Sequence, residues 1–211
     1  MASAAAPRIF VLAGVNGAGK SSIGGAAIRE AGAEYYNPDE AARSLRKANP
    51  LLSQTEANAA AWLGGKLMLE RSIGERLDFA FETTLGASTM TALLIDATAA
   101  GFAIHVWYVG LTSPELHIER VRSRVKVGGH DIPETDIRRR YEHSRLNLIR
   151  LLPYLASLQL YDNSFDGDPV RGQPKPRLLL HMEKGIVKGP RQMSNTPNWA
   201  KPIVAAALKT L

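Results

Sequence analysis

GVNGAGKS at residues 14–21 decides the fold of this chain, because it matches the pattern Gly-x4-Gly-Lys-[Ser/Thr] at every position. A polyphosphate needs several backbone N–H donors that point inward, and glycines let the backbone wrap that closely. A β-branched and aromatic run over residues 8–14 is typical of a buried strand, and a helical pattern over residues 20–31 follows the motif. A strand before and a helix after are the context that a phosphate-binding P-loop requires, so the sequence predicts one here.

The predicted P-loop assigns its residues to a nucleoside triphosphate and Mg²⁺. Lys20 would reach the β- and γ-phosphates, and the Ser21 hydroxyl would ligate the metal ion. We expect ATP, with GTP as the alternative, because the Asn-Lys-x-Asp motif by which GTPases usually read their base does not occur in the sequence. The residues predicted to bind nucleotide are Gly14, Asn16, Gly17, Ala18, Gly19, Lys20, Ser21 and Ser22.

Strands and helices alternate along the rest of the chain. Short apolar runs predict strands at residues 34–36, 78–82, 104–111, 158–161 and 177–182. Helical patterns lie at residues 39–47, 53–76, 88–100, from 113 to the Gly128-Gly129 pair, and 132–152. This alternation predicts an α/β P-loop NTPase fold of the small-molecule-kinase kind, with a mostly parallel sheet flanked by helices.

The length of 211 residues suits a single P-loop kinase domain over residues 1–211. We expect a weakly ordered start at residues 1–7 and a surface loop at residues 164–176, which are rich in Gly, Pro and Asp. The tail at residues 190–211 is predicted to be a loop followed by a short amphipathic helix, with Trp199 as a packing anchor.

The composition excludes several classes of protein and site. The sequence contains no cysteine, which excludes disulfides, thiolate metal sites and a cysteine nucleophile. The start of the chain lacks the basic and apolar regions of a signal peptide, and the longest early apolar run is too short to span a bilayer. We therefore expect a cytoplasmic protein without a membrane partner.

The net charge of +6 comes with two arginine clusters, at residues 120–124 and 138–140. Arg120 and Arg124 would share one helix face, and two glycines lie between the clusters. These features favour a helical arginine-rich lid, at about residues 114–150, that closes over phosphate. The alternative is a solvated basic surface. A nucleic-acid partner is disfavoured because no aromatic residues are interleaved with the arginines for stacking.

Two acids follow predicted strands, and both should lie near the P-loop. Asp39 follows the second strand and Glu82 ends the third. Because ligands of parallel sheets bind at the carboxyl ends of the strands, either acid could face the transferring phosphate, as a kinase requires. The alternatives remain that Asp39 is an N-cap and that Glu82 is a capping or supporting acid.

The chain resembles the zeta-toxin family of P-loop kinases. The resemblance is carried by GVNGAGKSS at residues 14–22, NPD at 37–39, FETTL at 81–85, RVRSRVKVGGHDIPETDIRRRYEHSRLNL at 120–148 and YDNS at 161–164. It implies that a purine nucleoside triphosphate with Mg²⁺ phosphorylates a hydroxyl of a UDP-activated amino sugar, typically UDP-N-acetylglucosamine. The resemblance also suggests an antitoxin protein as a partner, although the sequence itself shows none and no segment of it is identified as a fused antitoxin.

The resemblance implies a role for each matching residue. Asp39 would be the general base, Lys20 would hold phosphate, and Glu82 and Thr84 would hold the sugar nucleotide. The arginines on the γ-phosphate would be Arg124 and Arg140, with the alignment open to a slip to Arg120 or Arg139. The Gly-Gly-His-Asp-Ile-Pro segment looks like a chromosomal branch of the family, unlike the plasmid toxins.

Two other functions remain open at this point. The chain could be a kinase for another small hydroxyl compound, such as an antibiotic or a nucleotide. It could also be a non-catalytic module that senses a nucleotide and binds a protein partner.

Overall fold

The computed structural model describes residues 5–20, 34–165 and 176–209 of the 211-residue chain. Apart from Lys20, the helix predicted over residues 20–31 lies outside the described residues, and so do the predicted ligands Ser21 and Ser22. Most of the surface loop predicted at residues 164–176 also lies outside them.

A seven-stranded sheet with the order β2-β3-β1-β4-β5-β6-β7 forms the centre of the fold. The first five strands in this order are parallel, and the last two are antiparallel. The strands are β1 Arg8–Ala13, β2 Glu34–Tyr36, β3 Phe79–Thr83, β4 Ala103–Gly110, β5 Ser157–Asp162, β6 Arg177–Glu183 and β7 Ile186–Gly189. The predicted mostly parallel sheet flanked by helices is confirmed, and β7 is a strand that the sequence patterns did not predict.

Three of the described helices follow residues whose side chains cap them, which are Asn37, Ser53 and Ser113. Ser53 and Glu56 form the predicted capping box, in which the Ser53 hydroxyl accepts from the Glu56 amide at 3.2 Å. Ser113 caps the helix that begins with Pro114, a residue suited to the first helical position. The helices are α1 Pro38–Ala48, α2 Gln54–Glu75, α3 Ser88–Ala99, α4 Pro114–Lys126, α5 Glu134–Leu151 and α6 Lys201–Lys209, with a 3-10 turn at Leu152–Tyr154.

Both faces of β1 are buried, so this strand lies at the centre of the fold. Ile9 and Val11 pack with α3, α5 and α6 in the main hydrophobic core, whereas Phe10 and Leu12 face a second cluster on the other side of the sheet. β1 pairs with β3 on one side and β4 on the other, so its carboxyl end is the point at which ligands of such sheets bind.

The C-terminal tail is part of the main core. Trp199 is 3% exposed and lies against Gly110, where a Cβ would come within 2.3 Å of the indole ring. The predicted packing anchor is therefore confirmed, and only glycine leaves room for it. Within the described parts of the chain, no helix combines the length and hydropathy needed to cross a membrane.

Candidate functional site

The P-loop leaves the carboxyl end of β1 and is held in place by neighbouring loops. Gly19 has a φ of +83°, and a Cβ there would lie 2.6 Å from the side-chain nitrogen of Asn163. That nitrogen donates to the carbonyl of Ala18 at 2.9 Å. Glycine is thus required both by the backbone conformation and by the close approach of the loop that follows β5. Sequence reasoning did not assign Asn163 a role, although the YDNS segment contains it.

Asn16 connects the P-loop to both arginine-rich helices. Its backbone carbonyl accepts a 2.8 Å hydrogen bond from Nδ1 of His117 on α4. Its side-chain oxygen accepts a 2.8 Å hydrogen bond from Arg140 on α5. The sequence motif predicted only that Asn16 binds nucleotide, so its contacts with two distant helices are a finding of the structure.

His117 supports the P-loop as a neutral imidazole. It is 1% exposed, and this burial lowers its pKa to about 4 because the charged form loses its water, with Lys20 and Arg120 adding repulsion. Since a carbonyl can only accept, Nδ1 carries the proton. No sequence pattern distinguished His117 from the other residues of α4, and only the tertiary packing reveals its place.

Glu82 ends β3 and is held by two donors from the second strand and its loop. It is 6% exposed, and its Oε1 accepts from the Tyr35 hydroxyl and, at 3.0 Å, from the Asn37 amide. Burial of a carboxylate is tolerated when such donors satisfy it. Glu82 is not the N-cap of any of the helices α1 to α5, and these two donors fix its side chain at the edge of the site.

The N-cap alternative for Asp39 is wrong. The cap of α1 is Asn37, whose side-chain oxygen accepts from the amides of Asp39 at 2.9 Å and Glu40 at 3.3 Å. The Asp39 carboxylate is 44% exposed and faces the site. Its Oδ2 lies 3.7 Å from Nη1 of Arg124, and its Oδ1 lies 3.8 Å from Nε2 of His130.

Two cavities meet at the P-loop and share four residues, which are Asn16, Lys20, Asp39 and Glu82. The P-loop cavity has a volume of about 220 Å³ and is otherwise lined by Gly17, Gly19, Arg120 and Arg124. The large cavity has a volume of about 320 Å³. Burial lowers the pKa of Lys20, and the charges of Glu82 and Asp39 act against that shift.

The large cavity combines an apolar part with polar and cationic groups. Its apolar lining includes Trp62, Phe81 and Met90, and its polar lining includes Asn58 and Thr84. Arg139, Arg140 and His130 also line it. Such a mixture of apolar walls and a few placed polar groups is typical of small-molecule sites.

The arginine clusters divide between the site and the surface. Arg120 and Arg124 line the P-loop cavity, and Arg139 and Arg140 line the large cavity. Their two neighbours lie on the surface in ion pairs: Arg138 with Glu115 at 2.6 Å, and Arg122 with Glu134. The interpretation as a solvated basic surface is therefore right for these two arginines. It also holds for Arg139, whose side chain is 59% exposed and pairs with Asp136 at 2.7 Å although it borders the large cavity. It is wrong for the other three, which are Arg120, Arg124 and Arg140.

Carboxylates of the P-loop cavity could bind a Mg²⁺ ion that arrives with the nucleotide. In the described ranges, no group of three or more His, Asp and Glu side chains could hold a metal ion. Mg²⁺ usually keeps several waters and is bound by one or two carboxylates together with substrate phosphates. Asp39 and Glu82 supply two carboxylates beside Lys20, whereas the predicted ligand Ser21 lies outside the described residues.

A family model and a curated protein match this chain. A family model described as Zeta toxin matches residues 1–153. An uncharacterized protein of Haemophilus influenzae is 30% identical over 128 residues, covering 61% of this chain and 88% of that protein.

Two solved structures share the fold at low sequence identity. AvrRxo1-ORF1:-ORF2 with ATP has a TM-score of 0.67 at 16% identity, and the match covers 97% of this chain and 64% of that one. This chain thus spans less than two thirds of the AvrRxo1 chain. A structure from the PezAT chromosomal toxin-antitoxin system of Streptococcus pneumoniae has a TM-score of 0.55 at 15% identity, covering 99% of this chain and 87% of that one. The fold is the P-loop NTPase fold.

Proposed function

We propose that this chain, which belongs to the Zeta toxin family, transfers the γ-phosphoryl group of ATP to a hydroxyl of a UDP-activated amino sugar such as UDP-N-acetylglucosamine. Its P-loop kinase fold supports nucleotide-dependent phosphotransferase activity. The observation that carries this proposal is that two cavities meet at Asp39, Lys20, Glu82 and Asn16. A phosphoryl donor in one cavity and a hydroxyl acceptor in the other would react at that junction.

The P-loop cavity is suited to the triphosphate. Backbone N–H groups of the loop would cradle the phosphates, and Lys20 would neutralise charge on the transferring group. Ser21 remains the proposed Mg²⁺ ligand, with GTP as the alternative nucleotide. Bound Mg²⁺ would supply charge neutralisation between the phosphates. The role of this chain is then to fix the phosphates at the mouth of the large cavity.

Asp39 is the proposed general base. Its carboxylate lines both cavities, so it lies where an acceptor hydroxyl would approach the γ-phosphate. As the oxygen of the acceptor attacks phosphorus, Asp39 would take the hydroxyl proton and orient the remaining lone pair. The bond between phosphorus and the bridging oxygen of ADP then breaks, as in-line transfer requires.

The arginines from α4 and α5 are the proposed charge stabilisers, and residues 114–150 are the proposed lid. Arg124 and Arg120 line the P-loop cavity, while Arg140 lies in the large cavity and donates to Asn16 of the loop. On nucleotide binding, we expect Arg124 and Arg140 to contact the equatorial oxygens of the transferring group. Positioned donors of this kind contribute on the order of 10²- to 10³-fold to kcat.

The lining of the large cavity supports a nucleotide sugar as the acceptor. Trp62 and Met90 offer an apolar surface for a planar base, and Arg139 offers positive charge for a diphosphate. Glu82 and Thr84 are the proposed contacts to the sugar hydroxyls. A cytoplasmic location and an antitoxin partner belong to the same proposal, the latter because the pneumococcal relative comes from a toxin-antitoxin system.

The test is transfer of radiolabelled γ-phosphate from Mg·ATP to a panel of acceptors. The panel contains UDP-N-acetylglucosamine, UDP-glucose, an aminoglycoside and a nucleoside monophosphate. The proposal expects a labelled UDP-amino sugar whose formation is lost in Asp39→Asn. Transfer only to another compound would favour the alternative small-molecule kinase. ATP binding without transfer to any acceptor would favour the non-catalytic nucleotide-sensing module.

A further inference from the structure

One face of α2 forms a wall of the large cavity. Asn58, Trp62 and Gly65 follow one another at helical spacing, so they lie in one stripe along the helix, and all three line this cavity. None of them lines the P-loop cavity. The stripe therefore belongs to the part of the large cavity that a triphosphate at the P-loop does not fill.

Tyr36 fixes the position of this wall. Its hydroxyl donates to the carbonyl of Ala61 on α2, and a Cβ on Gly65 would lie 2.8 Å from its ring. Because Gly65 has no side chain, the ring of Tyr36 packs directly on the helix. On its other side, α2 packs against α1 through Ala42 and Ala57. These contacts hold the wall in the way that a selective binding site requires.

A chain of two hydrogen bonds orients the side-chain amide of Asn58. Nη1 of Arg46 donates to Oε1 of Gln54 at 2.9 Å, and Nε2 of Gln54 donates to Oδ1 of Asn58 at 2.9 Å. A guanidinium can only donate, so the carbonyl end of the Gln54 amide must lie toward Arg46. Its NH2 end then lies toward Asn58, whose oxygen must accept. The orientation of both amides is therefore set by the arginine.

The Nδ2 amino group of Asn58 is the free end of this chain. No residue in the described ranges accepts a hydrogen bond from it. Asn58 is half-buried and lines the large cavity, where this group can only donate. Trp62 follows one turn further along the same stripe. The wall thus suits a ligand that presents a flat ring with a carbonyl oxygen at its edge.

We propose that Asn58 selects the base of the acceptor by donating a hydrogen bond from Nδ2 to O4 of uracil. This inference rests on the proposed function, which supplies a uridine diphosphate sugar as the ligand. With the sugar at Asp39, the diphosphate and the ribose extend into the large cavity and the base reaches the α2 wall, where Trp62 stacks on it. Neither the motifs nor the resemblance assigned Asn58 a role.

The chemistry of the pyrimidine ring makes this contact selective. C4 lies across the ring from N1, which carries the ribose, so the group on C4 points away from the rest of the ligand and toward the wall. In uracil that group is a carbonyl, which accepts from Asn58. In cytosine it is an amino group, so two donors would meet and both would lose their hydrogen bonds to water without replacement.

The first test compares the binding of UDP and CDP by calorimetry, with Mg²⁺ and a nonhydrolysable ATP analogue in the P-loop cavity. We expect the wild type to bind UDP about tenfold more tightly than CDP. Asn58→Asp replaces the amino group with an oxygen and keeps the oxygen that accepts from Gln54, so it should reverse the preference in favour of CDP. The control Asn198→Asp adds the same charge at an exposed residue that lines neither cavity, and it should keep the wild-type ratio.

The second test removes the orientation of the amide without changing the group that meets the base. In Gln54→Leu, the amide of Asn58 can turn either end toward the ligand. We expect UDP still to bind and the ratio of the two Kd values to fall toward one, which a loss of packing alone would not produce.

The outcomes separate this inference from the proposed function. Equal binding of UDP and CDP by the wild type, or an unchanged ratio in Asn58→Asp, overturns the base selection alone. Phosphate transfer to no acceptor, with the preference for UDP intact, overturns the proposed function and supports the selection. Binding of neither UDP nor UDP-N-acetylglucosamine overturns both.

Discussion

His117 should make the stability of this protein depend on pH between about 7 and 5. Its pKa is lowered from the ordinary value of 6.5 to about 4 by burial behind the P-loop. Because the folded-state pKa lies below the unfolded-state value, the unfolded chain binds the proton first as the pH falls. Stability is therefore lost as the pH falls below about 6.5, and the loss is complete below about 4.

The pKa difference sets the size of the effect. One pKa unit corresponds to about 1.4 kcal/mol, so the full penalty is about 3 kcal/mol, and about 2 kcal/mol of it appears between pH 7 and pH 5. The pKa difference can be converted into a free energy of unfolding because the side chain of His117 is 1% exposed, so solvent does not screen its charge. Because Nδ1 already carries a proton and donates it to Asn16, acid adds a proton to Nε2 and with it a buried positive charge.

The assay is urea unfolding of the wild type and His117→Asn at about pH 7.5 and about pH 5. Asparagine keeps a donor near the position of Nδ1 but does not titrate. The variant also loses packing, but by the same amount at both pH values. This loss therefore cancels when the change in unfolding free energy between the two pH values is compared for the two proteins. We expect the wild type to lose about 2 kcal/mol more than the variant on acidification. Equal losses in both proteins would refute the buried, neutral state of His117.

Three further substitutions test the site, two of them with matched controls. Gly19→Ala should raise the Kd for ATP, measured by calorimetry, at least tenfold, because the added Cβ would lie 2.6 Å from the side-chain nitrogen of Asn163. The control Gly185→Ala has a similar positive φ but no atom within 4 Å of the added Cβ, so it should leave this Kd unchanged. Arg140→Ala should lower kcat about 100-fold, while Arg138→Ala, which removes a surface ion pair, should leave it within about twofold. Trp62→Ala should raise the KM for the acceptor with little change in kcat, and a large fall in kcat at unchanged KM would count against a binding role.

The sequence predicted those parts of the site that depend on local chemistry. The P-loop pattern requires glycines at fixed offsets, so the loop could be recognised without tertiary information. Asp39 and Glu82 were expected to converge because they follow strands of one parallel sheet, and both line the two cavities. That expectation depended on topology alone, which the alternation of strands and helices determines.

The sequence could not predict features that depend on packing between distant elements. One local signal was missed: Pro38 suits the first helical position, so Asn37 rather than Asp39 caps α1. Which arginines lie on the surface depends on acids elsewhere in the chain, such as Glu115, which forms an ion pair with Arg138. His117 is identified only by its burial against the P-loop.

The hairpin that ends the sheet was missed for a different reason. β6 and β7 are joined by Lys184 and Gly185, both with positive φ, as a tight hairpin turn requires. The usual sequence signal for such a turn is Asn-Gly or Asp-Gly, and Lys-Gly is weaker. β7 is also only four residues long, and its sequence IVKG does not alternate between apolar and polar residues.

The central claim is that Asp39 takes the proton of an acceptor hydroxyl at the junction of the two cavities. The most direct measurement is steady-state ADP release by the wild type and Asp39→Asn with Mg·ATP, with and without UDP-N-acetylglucosamine, beside the Kd of each protein for ATP. The account predicts acceptor-dependent release that falls about 10³-fold in kcat in the variant while ATP binding is retained. Normal turnover by Asp39→Asn would contradict it.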